Sequence, residues 1–153
     1  MTTENEIEHI ARRMLARTLP KPEWTHRAHF AAALWLLRFP EHLPEDGMPA
    51  AIRAYNEATG VANTPRSGFH ATITEASLRG AAACLADWPG APLGEVLDAL
   101  LASELGTSRW PLTYWSEGRL MSPEARRHWV EPDILPLPWP ERTAVLAGAG
   151  RAG

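Results

Sequence analysis

The stretch EWTHRAHFAAALWLLRF, residues 23–39, decides the fold that the sequence predicts. After residue 27 it is apolar apart from one histidine and one arginine, so little of it can face water. Thr25 is a residue type that caps helix starts, and Pro40 cannot continue a helix. The pattern therefore predicts a helix from about His26 to Arg38 that lies at the centre of the molecule.

Apolar residues recur at helical spacing along most of the remaining chain, and no alternating strand pattern is present. The sequence therefore predicts an all-α fold: a single-domain helical bundle with short additional helices and an extended Pro-rich C-terminal segment. We expect residues 1–140 to form this domain and residues 141–153 to form a flexible tail. The five main helices are predicted over residues 4–17, 26–38, 49–60, 69–86 and 92–105, with short helices in SRWPLTYW and SPEARRHW and an extended course for EPDILPLPWP.

Composition and charge restrict the partners of the chain. Its 153 residues are 45% apolar and carry a net charge of −3, with the basic residues scattered, so we expect no nucleic-acid partner. No apolar run is long enough to cross a bilayer, and the N-terminus lacks a signal-peptide pattern. Because Cys84 is the only cysteine, we expect a cytoplasmic protein. The expected partner is a small-molecule substrate, without a membrane, and a homo-oligomer is compatible with the sequence.

Three histidines are predicted to lie close together. His26 and His29 share one helix face, and His70 begins the fourth helix, where Thr74 continues the same face. Neutral imidazoles with one open position are a ligand set of catalytic metal ions. The pattern predicts one divalent ion (Zn, Mn, Fe, Ni or Cu) that activates water or a substrate. The candidate residues are His26, His29 and His70 as catalytic and metal-binding groups, with Tyr55, Asn56, Asn63 and Thr74 as substrate-binding groups.

Electrostatics favours a metal-free alternative at the same residues. All three histidines are predicted in first turns of helices, where the positive end of the helix dipole lowers a histidine pKa and opposes a bound cation. No carboxylate is placed beside the rings to offset the charge of an ion. The same field suits an anionic small molecule and a neutral histidine that acts as general base.

A third hypothesis makes the chain a non-catalytic interaction or oligomerisation module with structural histidines. Trp24 precedes the predicted cap and His29 is the fourth helical residue, and these two positions form a hydrophobic staple. His70 would then be satisfied by backbone groups. An exposed patch of C-terminal tryptophans would favour this hypothesis, whereas a pocket at His26 with those side chains buried would count against it. The tryptophans are Trp110, Trp115, Trp129 and Trp139.

Three segments, WTHRAHFAAALWLL, IRAYNEATGVANTPRSGFHATIT and SPEARRHWVEPDILPL, resemble a family of small bacterial proteins. The resemblance covers residues 24–137 and implies that the segments belong to one domain, but it implies no activity. A looser similarity is to the DinB-like helical bundles, which hold a divalent metal ion with three histidines. That similarity implies a metal-dependent hydrolase or transferase. The histidine pair of those bundles comes late in the chain, whereas here the pair comes early and His70 later.

Overall fold

The computed structural model describes residues 2–142, which fold into α-helices without strands, so the all-α prediction is confirmed. The second helix begins and ends where the sequence predicts, and the other main helices differ by a few residues at their ends. The element between residues 116 and 121 was not predicted. The α-helices are α1 (Glu4–Leu15), α2 (His26–Arg38), α3 (Gly47–Ala58), α4 (Ala71–Asp87), α5 (Leu93–Ala102), α6 (Glu117–Leu120) and α7 (Pro123–Arg127), and 3₁₀ turns cover Lys21–Glu23, Pro40–His42, Glu104–Gly106 and Trp110–Thr113.

Helix α2 lies at the centre of the molecule, as predicted. It packs against α1, α4 and α5, and its buried residues lie on every side of the helix, from Ala28 to Leu36. Small alanine side chains at Ala31, Ala32 and Ala33 let neighbouring helices approach closely, because each adds only a methyl group. None of the helices within residues 2–142 combines the length and the apolar character needed to cross a membrane.

The start of α4 differs from the prediction. The sequence predicts a start at about residue 69, but the N-cap is His70, whose ring nitrogen Nδ1 accepts a hydrogen bond from the backbone N–H of Ile73 at 3.1 Å. Gly68, two residues earlier, has a positive φ of 80° and ends a tight turn. The helix therefore begins at residue 71, two residues later than predicted.

Helix α3 packs mainly on α1 and makes few contacts with α2 and α4. The hydroxyl of Tyr55 on α3 donates to the carbonyl of Leu19 at 2.8 Å. This bond fixes α3 beside the segment that follows α1. A groove therefore remains between α3 on one side and α2 and α4 on the other. This groove holds the candidate functional site.

The Pro-rich segment after α7 runs without regular structure, in keeping with the prediction. Leu137 and Trp139 pack against the core, whereas Ile134 is 53% exposed. Arg142 forms an ion pair with Glu75 on α4 at 2.7 Å. The rest of the predicted tail, residues 143–153, lies outside the described residues.

Candidate functional site

A pocket of about 350 Å³ lies in the groove between α3 and the pair α2 and α4, and the Trp110–Thr113 turn closes one end. Its size suits a small organic molecule. Helix α2 contributes both of its histidines to the wall, because Thr25 caps the helix and places them in and just after the first turn. The lining residues are His26, His29, Phe30, Ala33, Met48, Ile52, Ile73, Thr74, Ser77, Leu78, Ser108, Trp110 and Pro111.

His29 presents one free ring nitrogen at this pocket. Its Nδ1–H donates to the carbonyl oxygen of Thr25 at 2.8 Å, which leaves Nε2 as the nitrogen with the lone pair. The ring stacks on Trp24 with centroids 3.9 Å apart, which is the staple contact that the structural hypothesis predicts. Among residues 2–142, Nε2 has no hydrogen-bond partner. It is the one imidazole nitrogen of His29 able to accept a proton or a hydrogen bond from a ligand.

The surroundings of His29 keep its ring neutral. Solvent reaches the side chain through the open pocket, yet protein atoms crowd the ring closely enough for desolvation to lower its pKa. The hydrogen bond to Thr25 acts in the opposite direction, and the electrostatic effects of His26 and Lys21 lower the pKa further. At neutral pH the lone pair on Nε2 is therefore present in nearly every molecule.

His26 is the second histidine of the pocket, and a distant carbonyl holds it in place. Its Nε2–H donates to the carbonyl oxygen of Leu105 at 2.7 Å, and its ring meets Phe30 edge to face. This bond links the start of α2 to the turn after α5. Nδ1 is then the nitrogen with the lone pair, so His26 offers a second acceptor at the same wall.

His70 has no free nitrogen. Nδ1 accepts from the N–H of Ile73, and Nε2–H donates to the carbonyl oxygen of Leu120 at 2.7 Å. His70 is 7% exposed, and desolvation is the main cause that lowers its pKa. The hydrogen bond to Leu120 raises the pKa, and the charge of Arg126 lowers it. Both partners fix the neutral ring with its proton on Nε2. In this arrangement His70 caps α4 and ties it to α6, and it can serve neither as a ligand nor as a base.

The three histidines do not gather around one point. His26 and His29 share the first pocket, and His29 and His70 share a neighbouring pocket of about 330 Å³, so no single pocket contains all three rings. Within residues 2–142 no group of three or more histidine, cysteine or acidic side chains is placed to hold a metal ion. Of these three rings, only His29 Nε2 and His26 Nδ1 are left as nitrogens that could bind a metal ion, so the side chains do not fit the predicted three-histidine centre.

Three of the four predicted substrate-binding residues hold the fold together. Tyr55 is completely buried, so it is not at the rim of the pocket. The side-chain amide of Asn56 donates to Oδ1 of Asn63 at 3.1 Å, and that same oxygen accepts from the N–H of Phe69. These bonds tie the loop before α4 to α3. Thr74 lines both pockets, in agreement with its predicted position on the histidine face.

The pocket also has a wall that the sequence did not indicate. This wall comes from the segment after α5, which is about 80 residues later in the chain than the histidines of α2. Its residues are Ser108, Trp110 and Pro111. No short-range pattern marks them, because only tertiary packing brings them to the histidines. Thr74 and Ser77, by contrast, follow helical spacing and lie on the predicted face of α4.

The C-terminal tryptophans do not form an exposed patch. Trp110 and Trp115 are buried, and Trp129 and Trp139 are half-buried against the core. Trp139 meets Trp110 edge to face with centroids 5.5 Å apart. By the criterion set above, a pocket beside His26 together with these covered rings counts against the interaction-module hypothesis.

The fold and the pocket define an all-α protein whose groove can accept a small molecule. No protein-family model matches the chain, and no curated protein or solved structure matches it either. The function is therefore inferred from the pocket's own residues.

Proposed function

We propose that the chain binds a small, largely apolar molecule in the histidine pocket without a metal ion, and that Nε2 of His29 accepts a hydrogen bond or a proton from that molecule. The observation that carries the proposal is the free Nε2 on a ring whose other nitrogen is fixed by Thr25. The stacking on Trp24 holds this ring at one orientation, so the acceptor is preorganised.

The lining favours one class of ligand. Among residues 2–142 none of those that line this pocket is Lys, Arg, Asp or Glu, and most of them are apolar. A neutral, apolar body therefore fits better than an ion, because a charged group would lose its hydration without gaining a counter-charge. Ser77, Ser108 and Thr74 add hydroxyl groups that can orient one polar end of the ligand.

The pKa of His29 sets what the ring can do in a reaction. Because the pKa is lowered, the ring at neutral pH is already in the form that a general base requires. The same shift makes it a weak base, so it will assist a proton transfer rather than hold the proton as a stable imidazolium. We assign His29 as acceptor and general base, and His26 as the second acceptor that orients the ligand.

Phenol and toluene test this proposal, because phenol carries a hydroxyl group where toluene carries a methyl group, and both are small enough for the pocket. Burial of the methyl group favours toluene, so the hydrogen bond is measured by the ratio of the two affinities. We expect the affinity for phenol relative to toluene to be about two- to tenfold higher in the parent than in a variant without Nε2, which corresponds to the net value of one hydrogen bond. The measurement is proton–nitrogen correlation NMR with each compound, following the amides of residues 73–78.

The matched variants are His29→Phe and His9→Gln. His29→Phe keeps an aromatic ring against Trp24 but removes Nε2, so the affinity for phenol relative to toluene should fall while toluene still binds. His9 lies exposed on α1 away from the pocket, so His9→Gln should leave both affinities unchanged. The same affinity ratio in the parent and in His29→Phe, or absence of shifts at the pocket, would reject the proposal.

Metal analysis separates this proposal from the metal-dependent hypothesis. Untagged protein offered Zn²⁺, Mn²⁺, Fe²⁺, Ni²⁺ and Cu²⁺ should retain no stoichiometric metal after desalting, as measured by mass spectrometry. About one equivalent of metal in the parent that is lost in His26→Ala/His29→Ala would instead establish a metal centre at these histidines.

A further inference from the structure

A third pocket, of about 460 Å³, adjoins the histidine pocket and shares Thr74 and Leu78 with it. Three arginines and one glutamate line it, so three positive charges and one negative charge give the lining a formal charge of +2. The chain as a whole has a net charge of −3. The lining of this pocket is therefore positive, although the chain as a whole is negative. The charged residues are Arg53, Arg127, Arg142 and Glu75.

The glutamate is already occupied by other arginines. Arg142 binds Glu75 at 2.7 Å, and Arg79 binds the same carboxylate from α4 at 3.1 Å. Burial alone would raise the pKa of Glu75, but the hydrogen bonds and charges of Arg142 and Arg79 lower it, so the carboxylate is ionised. Its one negative charge is shared by two guanidinium groups and cannot also neutralise the remaining arginines.

Arg53 and Arg127 are the arginines that remain. Within residues 2–142 neither forms an ion pair. The guanidinium of Arg53 lies over the ring of Phe69 at 4.6 Å, which restrains it at the wall of the pocket. Stacking uses the face of a guanidinium and leaves the N–H groups along its edge free to donate. Phe69 is itself buried, so Arg53 is held on a rigid support.

We propose that this pocket binds a doubly charged oxyanion, the phosphate group of a small molecule, through Arg53 and Arg127. The planar fork of an arginine matches the oxygens of a phosphate, and two such forks fit the uncompensated charge of the lining. The hydroxyl of Thr74 supplies a further donor at the wall shared with the histidine pocket. Arg53 and Arg127 do not line the histidine pocket, so this site does not depend on a ligand there although Thr74 lies in both linings.

Inorganic phosphate is the probe for this site. We expect saturable binding to the full-length protein at constant ionic strength, seen by proton–nitrogen correlation NMR as shifts at residues 69–75. Acetate, with one charge, should bind at least about tenfold more weakly, and added chloride should weaken phosphate binding by screening. Absence of saturable phosphate binding, or equal binding of acetate, would overturn the proposal.

Variants locate the binding. Arg53→Gln/Arg127→Gln should weaken phosphate binding at least about tenfold, while Arg53→Lys/Arg127→Lys, which keeps the charge and loses the forks, should lie between it and the parent. Both changed residues are exposed, and circular dichroism will verify that the variants fold. Arg66→Gln is the matched control, because Arg66 is exposed on the loop before α4 and lines neither pocket. Equal weakening by Arg66→Gln, or none by the double variants, would refute the assignment.

Discussion

The first turns of α2 and α4 make opposite use of histidine. At the start of α4, His70 stands at the cap and commits both ring nitrogens to backbone groups. At the start of α2, a threonine does the capping, and His29 commits only Nδ1. One helix start therefore uses its imidazole to build the fold, and the other leaves an acceptor at a pocket.

The difference comes from what the rest of the chain supplies. His70 reaches the carbonyl of Leu120, fifty residues later, where α6 ends. The backbone N–H at the helix start needs an acceptor, and the Leu120 carbonyl needs a donor, so the ring satisfies two buried groups at once. His29 finds its partner four residues earlier in Thr25, and in the described part of the chain, residues 2–142, its other nitrogen has no hydrogen-bond partner. A pocket can persist only where the fold leaves such a group uncovered.

Replacing His70 should have the largest effect. His70→Ala removes a helix cap and leaves the Leu120 carbonyl without its donor, so the free energy of unfolding should fall by about 2–4 kcal/mol. Urea denaturation followed by circular dichroism measures this loss. His70→Asn restores a capping acceptor but cannot reach Leu120, and it should recover about 1 kcal/mol. A change below about 0.5 kcal/mol for His70→Ala would mean that the cap and its bond are not structural.

Thr72 tests the next contact of the same helix start. Its buried hydroxyl donates to the carbonyl of Ala125 at 2.8 Å and accepts from the N–H of Val130 at 3.2 Å, which ties α4 to α7 and the segment beyond. Thr72→Val keeps the shape but leaves both groups unsatisfied, at a cost of about 1–3 kcal/mol. Thr72→Ser keeps the hydroxyl and should lose about 1 kcal/mol or less. Equal losses for the two variants, in the same urea experiment, would assign the effect to packing rather than to hydrogen bonding.

Local pattern was sufficient to predict α2 and its surroundings. An apolar run, a capping threonine and a terminating proline are all contained in residues 25–40, and the helix has the predicted ends. The stacking of Trp24 on His29 follows from the same short stretch. These features depend on residues a few positions apart, which is the range over which sequence spacing fixes geometry.

The pocket could be predicted only in part, because its walls come from distant segments. The faces of α2 and α4 follow from helical spacing, but the approach of Trp110 and Pro111 depends on how α5 and the turns after it pack. The structural hypothesis correctly has His70 satisfied by backbone groups, but its partner Leu120 could not be assigned from spacing. A histidine that caps a helix and one that lines a pocket have the same local sequence signature.

The pH dependence of the free energy of unfolding tests both histidines, with a smaller expected effect than the substitutions above. The pKa of His70 and that of His29 are both lowered from 6.5, the latter to about 4. Between 6.5 and the lowered value the unfolded chain binds more protons than the folded one, so these groups reduce stability as the pH falls below about 6.5 and have no effect above it.

Urea midpoints from about pH 7.5 to about pH 4.5 measure this linkage, and the carboxylates common to all variants cancel in the differences. The stability deficit of His70→Asn relative to the parent should shrink as the pH falls, because the variant no longer has the buried ring that resists protonation. His29→Phe should show the same sign, because the pKa of His29 is lowered as well. The exposed-site control His9→Gln should run parallel to the parent. If the deficit of His70→Asn did not change over this pH range, the folded state would not lower the pKa of the His70 ring, and the start of α4 would not differ from the unfolded chain in proton binding.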